Sequence, residues 1–280
     1  MEKYGKLTYS HFSDFENKDY NNGVLTLNLT SWGEFHNVVQ IFNDKTNYIW
    51  RGQRCYREDW KLKSTFDRKF KKFPSEEERK IKHDEILEKF KQRLEDLPDK
   101  RSNSFSDDEI WAIGQHYGLP TPLLDWTECP YIAAYMAFFK KGTNDQKENR
   151  VIYALNRALK LLLLKRKNAK TKELLSRERF VEFPELRDNL DEMQNERLKR
   201  QKGKFTKSLN GEDIKVNVEK FSNKGKYNQK IILAEILIPD KVRDECISFL
   251  ESKKITHGAL FPDFAGAVEI CKIELGIGQS

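Results

Sequence analysis

The chain changes its hydrophobic period several times, and each change marks an element. Val24-Leu25-Thr26-Leu27-Asn28-Leu29 alternates and predicts a strand or an extended arm. Trp32, Phe35, Val38, Val39 and Phe42 then recur at helical spacing behind Thr30 or Ser31 as a cap. After a polar turn, Tyr48-Ile49-Trp50-Arg51-Gly52-Gln53 reads as an aromatic and β-branched strand ending in Arg-Gly-Gln. Ser75 with Glu78 forms a capping box for a helix over 75–97, with Ile81, Ile86, Phe90, Leu94 and Leu97 near one face. A second box, Ser106 with Glu109, opens a helix carrying Ile110, Trp111 and Ile113, and Gly118 stops it.

Pro120 and Pro122 hold Leu119 and Thr121 extended, and Leu123-Leu124 reads as a short buried segment. Thr127 is placed to cap a helix running to about Phe139, with Ile132, Tyr135, Met136 and Phe139 inside. Residues 151–155 predict a strand, residues 157–180 a basic helical stretch, and residues 197–230 a second basic stretch of short strands and loops. Residues 231–238 are the clearest strand. Pro239-Asp240 opens a helix ending near Glu251, and Ala267 to Leu275 alternates imperfectly as a closing strand. Strands separated by helices without regular βαβ spacing predict an α+β fold around a mixed sheet.

Length and composition narrow the class. A chain of 280 residues folds away roughly 75% of its extended surface, enough for a full core. Its net charge of +7 admits nucleic acid, nucleotides or other anions as partners, although 51 basic against 44 acidic residues also fits a merely Lys-rich chain. Cys55, Cys129, Cys246 and Cys271 form no CxxC pair, so neither a zinc site nor a disulfide framework is signalled. Free thiols suit a reducing compartment. The N-terminus has no apolar signal segment, and the run Leu161–Leu164 is too short to span a bilayer. A cytoplasmic protein without a membrane partner is expected.

No GxGxxG, Walker loop, HExxH, GxSxG or EF-hand loop is present, and no metal set is predicted. The candidate chemistry lies elsewhere. Arg51 at a strand end, followed by Gly52 and Gln53, suits binding of a phosphate or carboxylate, with the glycine letting backbone approach a ligand; a sheet-edge ion pair is the plainer reading. His116, beside Tyr117 at a helix C-terminus, is favoured as a cation by the dipole and can donate to a ribose hydroxyl or phosphate, or simply cap the helix. Asp125 either joins a capping arrangement or faces a cation such as Arg51 or a nicotinamide ring. Trp126 either stacks on a ring or fills the core. The segment Arg197 to Phe205 is basic but carries few interleaved aromatics, a weak nucleic-acid signal.

Together these pieces resemble the FRG-domain family, named for a Phe-Arg-Gly triplet. The matching residues are Tyr48 to Gln53, with Trp50 in the aromatic place, then the run Gln115-His116-Tyr117-Gly118-Leu119-Pro120-Thr121-Pro122-Leu123-Leu124-Asp125-Trp126-Thr127, with Ala133, Ala134 and Phe138 beyond. Arg197, Gln201, Gly203 and Phe205 look like the family's R…QxGxF segment, and Phe261-Pro262-Asp263 with Gly266 like its closing FPD…G. The resemblance spans about residues 31–273, and implies an arm or strand over 1–30 and an FRG domain over 31–275 with a basic insertion at about 157–230.

The family's layout in turn resembles the ADP-ribosyltransferase fold, which implies a mixed, mainly antiparallel central sheet flanked by helices. By that resemblance NAD is the substrate. Arg51, His116, Asp125 and Gln201 carry catalysis, and Gly52, Gln53, Tyr117, Trp126, Thr127, Arg197 and Phe205 bind ligand. The usual catalytic Glu has no clear counterpart; Gln201 stands near its place, and Glu235 and Glu269 are other candidates. The implied role is a bacterial toxin or antiviral (anti-phage) defence effector acting on a macromolecular target, with an antitoxin or defence-system partner. Two alternatives stay open: a non-catalytic domain binding a nucleotide or nucleic acid, and a nuclease using His116 and Asp125.

Overall fold

The computed structural model describes residues 12–43, 47–56, 61–70, 75–97, 105–141, 149–157, 181–182, 184–186, 192–223 and 230–275. In chain order the strands are β1 (Lys18–Asn21), β2 (Val24–Asn28), β3 (Tyr48–Gln53), β4 (Leu123–Thr127), β5 (Asn149–Asn156), β6 (Val181–Glu182), β7 (Gly203–Ser208) and β8 (Leu233–Pro239). They form one sheet in the order β1-β2-β8-β5-β3-β4-β7-β6. Every pairing is antiparallel except β2 with β8. The fold is therefore α+β with a mixed, mainly antiparallel central sheet. β1 and β2 make a hairpin through Asn22 and Gly23, whose φ values of 44° and 82° suit a turn that follows strand twist. The stretch expected as an arm or strand thus enters the common sheet, with β2 as an inner strand.

One face of the sheet is covered by α1 (Trp32–Asn43), α5 (Pro130–Phe138) and α8 (Arg243–Ser252), whose Trp32, Phe35, Phe138 and Leu250 enter the largest core cluster. The other face meets α7 (Ile214–Asn223) through Ile214, Val218 and Phe221. A third cluster joins α3 (Glu76–Glu95) and α4 (Asp107–His116) to Leu123 and Phe205 through Leu87, Ile110 and Trp111. The short α2 (Thr65–Lys69) and α9 (His257–Leu260), with α6 (Glu192–Arg200) and α10 (Phe264–Glu274), complete the described helices.

The sheet is open at one internal seam. β3 pairs with β5 through six residue pairs, from Tyr48↔Asn156 to Gln53↔Val151, but with β4 only at Trp50↔Thr127. β4 then follows β7 from Leu123↔Lys207 to Thr127↔Gly203. Beyond Trp50 the two central strands diverge, and a cleft forms where a ladder would have been.

Three expectations are corrected. Residues 267–275 are helix, not strand. Asp263 accepts a hydrogen bond from the Gly266 N–H (2.7 Å) as N-cap, and Phe264, Val268, Cys271 and Leu275 recur at steps of four, three and four. The apparent alternation came from mixing that stripe with Ile270 and Ile273. Residues 197–230 carry more regular structure than expected, in α6, β7 and α7, because Ile214, Val218 and Phe221 bury a helical face. Thr127 is not the cap of α5: Cys129 holds that place, Pro130 begins the helix, and Thr127 ends β4. The expected basic helix at 157–180 lies, beyond Arg157, outside the described residues.

Candidate functional site at the seam between β3 and β4

Alternation along β3 sends Trp50 and Gly52 toward α5 and Arg51 the other way. A Cβ on Gly52 would overlap the Ala133 carbonyl oxygen and stand 2.7 Å from the Ala137 nitrogen. The close approach this glycine permits is that of α5, which lies directly on the strand. Arg51 Nη1 donates to the main-chain carbonyl of Asp125 at 2.7 Å and so spans the seam. Its Nε is buried and has no hydrogen-bond partner among the described residues. Burial pulls the Arg51 guanidinium below its ordinary pKa, with Asp125 pushing the other way.

The N-terminus of α4 is held by a complete capping box: Ser106 N donates to Glu109 Oε2 (2.7 Å) and Glu109 N to Ser106 Oγ (3.4 Å). At its other end Gly118, with φ of 86°, reverses the chain, and Leu119 N returns to the Gly114 carbonyl at 2.8 Å. The turn lays the end of α4 beside β4. Gln115 consequently donates Nε2 to Asp125 Oδ1 at 2.5 Å, while its Oε1 accepts the Thr121 hydroxyl. Thr121 is fully buried, and its N–H donates to Thr65 Oγ1 at 3.1 Å. The Asp125 carboxylate is thus fixed by a relay from the interior. Asp125 is exposed at the cavity wall, yet the surrounding protein is close enough to push its carboxyl above the usual range, against the pull of Arg51, Arg197 and Arg68.

The opposite wall is built from α6 and the segment after α9. Arg197 Nη1 lies 3.5 Å from Asp263 Oδ2, with its guanidinium 4.7 Å from the centre of the Phe261 ring. His116 Nε2 lies 3.9 Å from the same Asp263 oxygen. Gln201 Nε2 donates to the Leu260 carbonyl (3.0 Å), and its own carbonyl accepts from Thr127 Oγ1 (2.6 Å). Between these walls is a cavity of about 360 Å³.

Arg51, His116, Asp125 and Gln201 all line that cavity, as do Gly52, Trp126, Thr127, Arg197 and Phe205. Trp126 Nε1 donates to Thr206 Oγ1 (2.8 Å) and its ring joins the core, so it fills rather than stacks. Gln53 is buried and borders a neighbouring cavity instead. Tyr117 is outside the wall: it is two-thirds exposed and meets the His116 ring edge-on at 4.9 Å. Glu235 is buried on β8 against Lys215 Nζ (2.5 Å) and Thr26 Oγ1 (3.3 Å), and Glu269 pairs with Lys140. Among the described lining residues, Asp125 supplies the carboxylate. Sequence reasoning missed Gln115 as a functional residue, although it opens the run that drew attention. The signal was the turn itself: two prolines and a glycine between Gln115 and Asp125 force helix end and strand together. Arg68 was also missed and carried no local signal.

Among the described residues, no group of three or more His, Cys, Asp and Glu side chains stands together as a metal site requires. Nor is any described helix long and apolar enough to cross a membrane.

Sheet, seam and lined cavity define an α+β protein with a cleft opened between two central strands. Residues 46–147 match the family model of the FRG domain. That match takes in Arg51, Gln115, His116, Asp125 and Thr127, and ends before Arg197, Gln201 and Phe205. No curated protein and no solved structure matches the chain.

Proposed function

We propose that the chain is an NAD-using, ADP-ribosyltransferase-like enzyme that holds the nicotinamide ribose of NAD beside Asp125. The observation carrying this reading is the pair on one cavity wall: an anchored, partly desolvated carboxylate, and a half-buried guanidinium whose Nε has no partner among the described residues. A cavity of about 360 Å³ is of the size that encloses small ligands. Ile132, Met136 and Phe205 give it apolar surface for a flat ring. In the transfer, the bond between nicotinamide nitrogen and ribose carbon breaks, nicotinamide leaves neutral with the electron pair, and the ribose carbon becomes oxocarbenium-like. The acceptor's nucleophile then bonds that carbon and loses its proton. Asp125, fixed before reaction by Gln115, stabilises the developing positive charge at little reorganisation cost. Arg51 neutralises phosphate oxygens with the charge of its guanidinium.

Purified protein mixed with NAD tests this. Release of nicotinamide that disappears in Arg51→Ala and in Asp125→Asn supports it, and folded protein that releases none rejects it. An effector role, as toxin or in phage defence, turns on which macromolecule takes up label from radiolabelled NAD in a cell extract.

A second reading is a nucleotide-binding domain without turnover. The commitment of Gln201 to the Leu260 carbonyl favours it, because the residue nearest the expected catalytic Glu is occupied structurally. Saturable NAD binding without nicotinamide release selects this reading. The nuclease reading has less support: Asp125 bonds to Gln115, and His116 lies against Asp263.

A further inference from the structure

A second cavity, of about 530 Å³, adjoins the cleft and shares Arg51, Gly52 and Met136 as wall. Its other polar lining is Gln53, Arg54, Arg68 and Lys140. Four cations therefore border one concave space, and among the described lining residues no carboxylate faces them. Lys140 is balanced from outside by Glu269. Arg68 is half-buried at the end of α2, and its side chain makes no hydrogen bond or ion pair among the described residues, although Asp125 is near enough to interact with its charge. Arg51 lines both cavities, and its Nε is buried with no hydrogen-bond partner among the described residues.

Folding ordinarily pairs buried guanidinium donors, and like charges gathered in one cavity oppose the compact state. An anion relieves both. We propose that this second cavity is a phosphate subsite, in which Arg68 and Arg51 hold the diphosphate of a nucleoside-diphosphate ligand whose remainder extends into the cleft. Guanidiniums suit the task, since each presents paired donors that match two phosphate oxygens. The cations line one concave hollow rather than forming a stripe, which favours a small diphosphate over a nucleic-acid backbone. The subsite deepens the nucleotide reading of the cleft but does not require NAD turnover.

The probes are ADP, inorganic pyrophosphate and adenosine, titrated calorimetrically against the full chain. ADP and pyrophosphate are expected to bind the wild type, and Arg68→Ala to weaken both by about tenfold or more, the loss typical of one charge-assisted contact. Arg68→Lys should recover part of that loss. Lys241→Ala, at an exposed lysine that lines neither cavity, should bind as the wild type does. Arg68 makes no structural bond, so the variants are expected to fold, and circular dichroism checks this. No binding of ADP or pyrophosphate to the wild type overturns the proposal. So does ADP affinity in folded Arg68→Ala within twofold of wild type, or tighter, Arg68-dependent binding of a single-stranded oligonucleotide. Arg68-dependent ADP binding without nicotinamide release sinks the transferase reading and leaves the subsite standing.

Discussion

Arg51 on β3 and Asp125 on β4 meet across the seam, with the guanidinium donating to the main-chain carbonyl at 2.7 Å where the ladder between their strands has ended. The side chain replaces the missing strand pairing at this point. It also ties the two diverging strands together at the edge of the cleft.

Loss of that bond should be measurable apart from any activity. Arg51→Ala strands a carbonyl at the seam and is expected to cost about 1.5–3 kcal/mol in urea unfolding. Arg51→Lys keeps the charge but lacks the fork, so it should recover stability better than NAD-dependent turnover. Equal recovery of both would mean that the fork has no role in ligand binding.

Gly52→Ala tests the packing of α5 on β3. The added methyl meets backbone at Ala133 and Ala137, not a side chain that can rotate away. A loss of about 1–3 kcal/mol is expected, the usual cost of overpacking, as a lower urea midpoint. An unchanged midpoint would place α5 farther from the strand than described.

The Asp125 carboxyl is held above its usual pKa chiefly by burial, so the fold disfavours its ionised form. Its stabilising contribution is full below the ordinary carboxylate pKa and is lost as pH rises through the raised native value. Asp125→Asn keeps an oxygen for Gln115 and cannot ionise. Its stability should match wild type in acid and exceed it at neutral pH, followed by urea midpoints across that range. Nicotinamide release, which uses the carboxylate, should rise with pH through the same window. A variant less stable than wild type at every pH would contradict the assignment.

Asp263 closes the far wall by capping α10 while facing Arg197 and His116. Asp263→Ala should cost about 1 kcal/mol or more through the lost cap, whereas Asp263→Asn keeps the cap and loses only the charge. Limited trypsin digestion should cut faster at Arg197 and Arg200 in both variants. Identical digestion patterns would show that the charge does not hold the wall.

Thiol reactivity gives a simple check on burial. Cys271 is exposed on α10 and should react with a thiol reagent within minutes, whereas Cys246 is buried and its thiol is pushed up by desolvation. Cys246 should react only on unfolding.

The local rules of the chain determined much of this molecule. The N-cap at Ser75, the capping box at Ser106, the stop at Gly118, and the periodicities of α1, β2, β3 and β8 were written in neighbouring residues, because caps and hydrophobic faces are short-range. The run from Gln115 to Thr127 marked the site for the same reason: two prolines and a glycine constrain its backbone whatever surrounds it. Where two periods overlapped, as in residues 264–275, sequence alone misread a helix as a strand. What only the tertiary structure decided is the pairing of strands distant in sequence, since register depends on long-range burial. That pairing opened the seam between β3 and β4, aimed Gly52 at α5, tied Asp125 to Gln115, and brought Arg68 from a segment with no motif to the same basic cavity as Arg51.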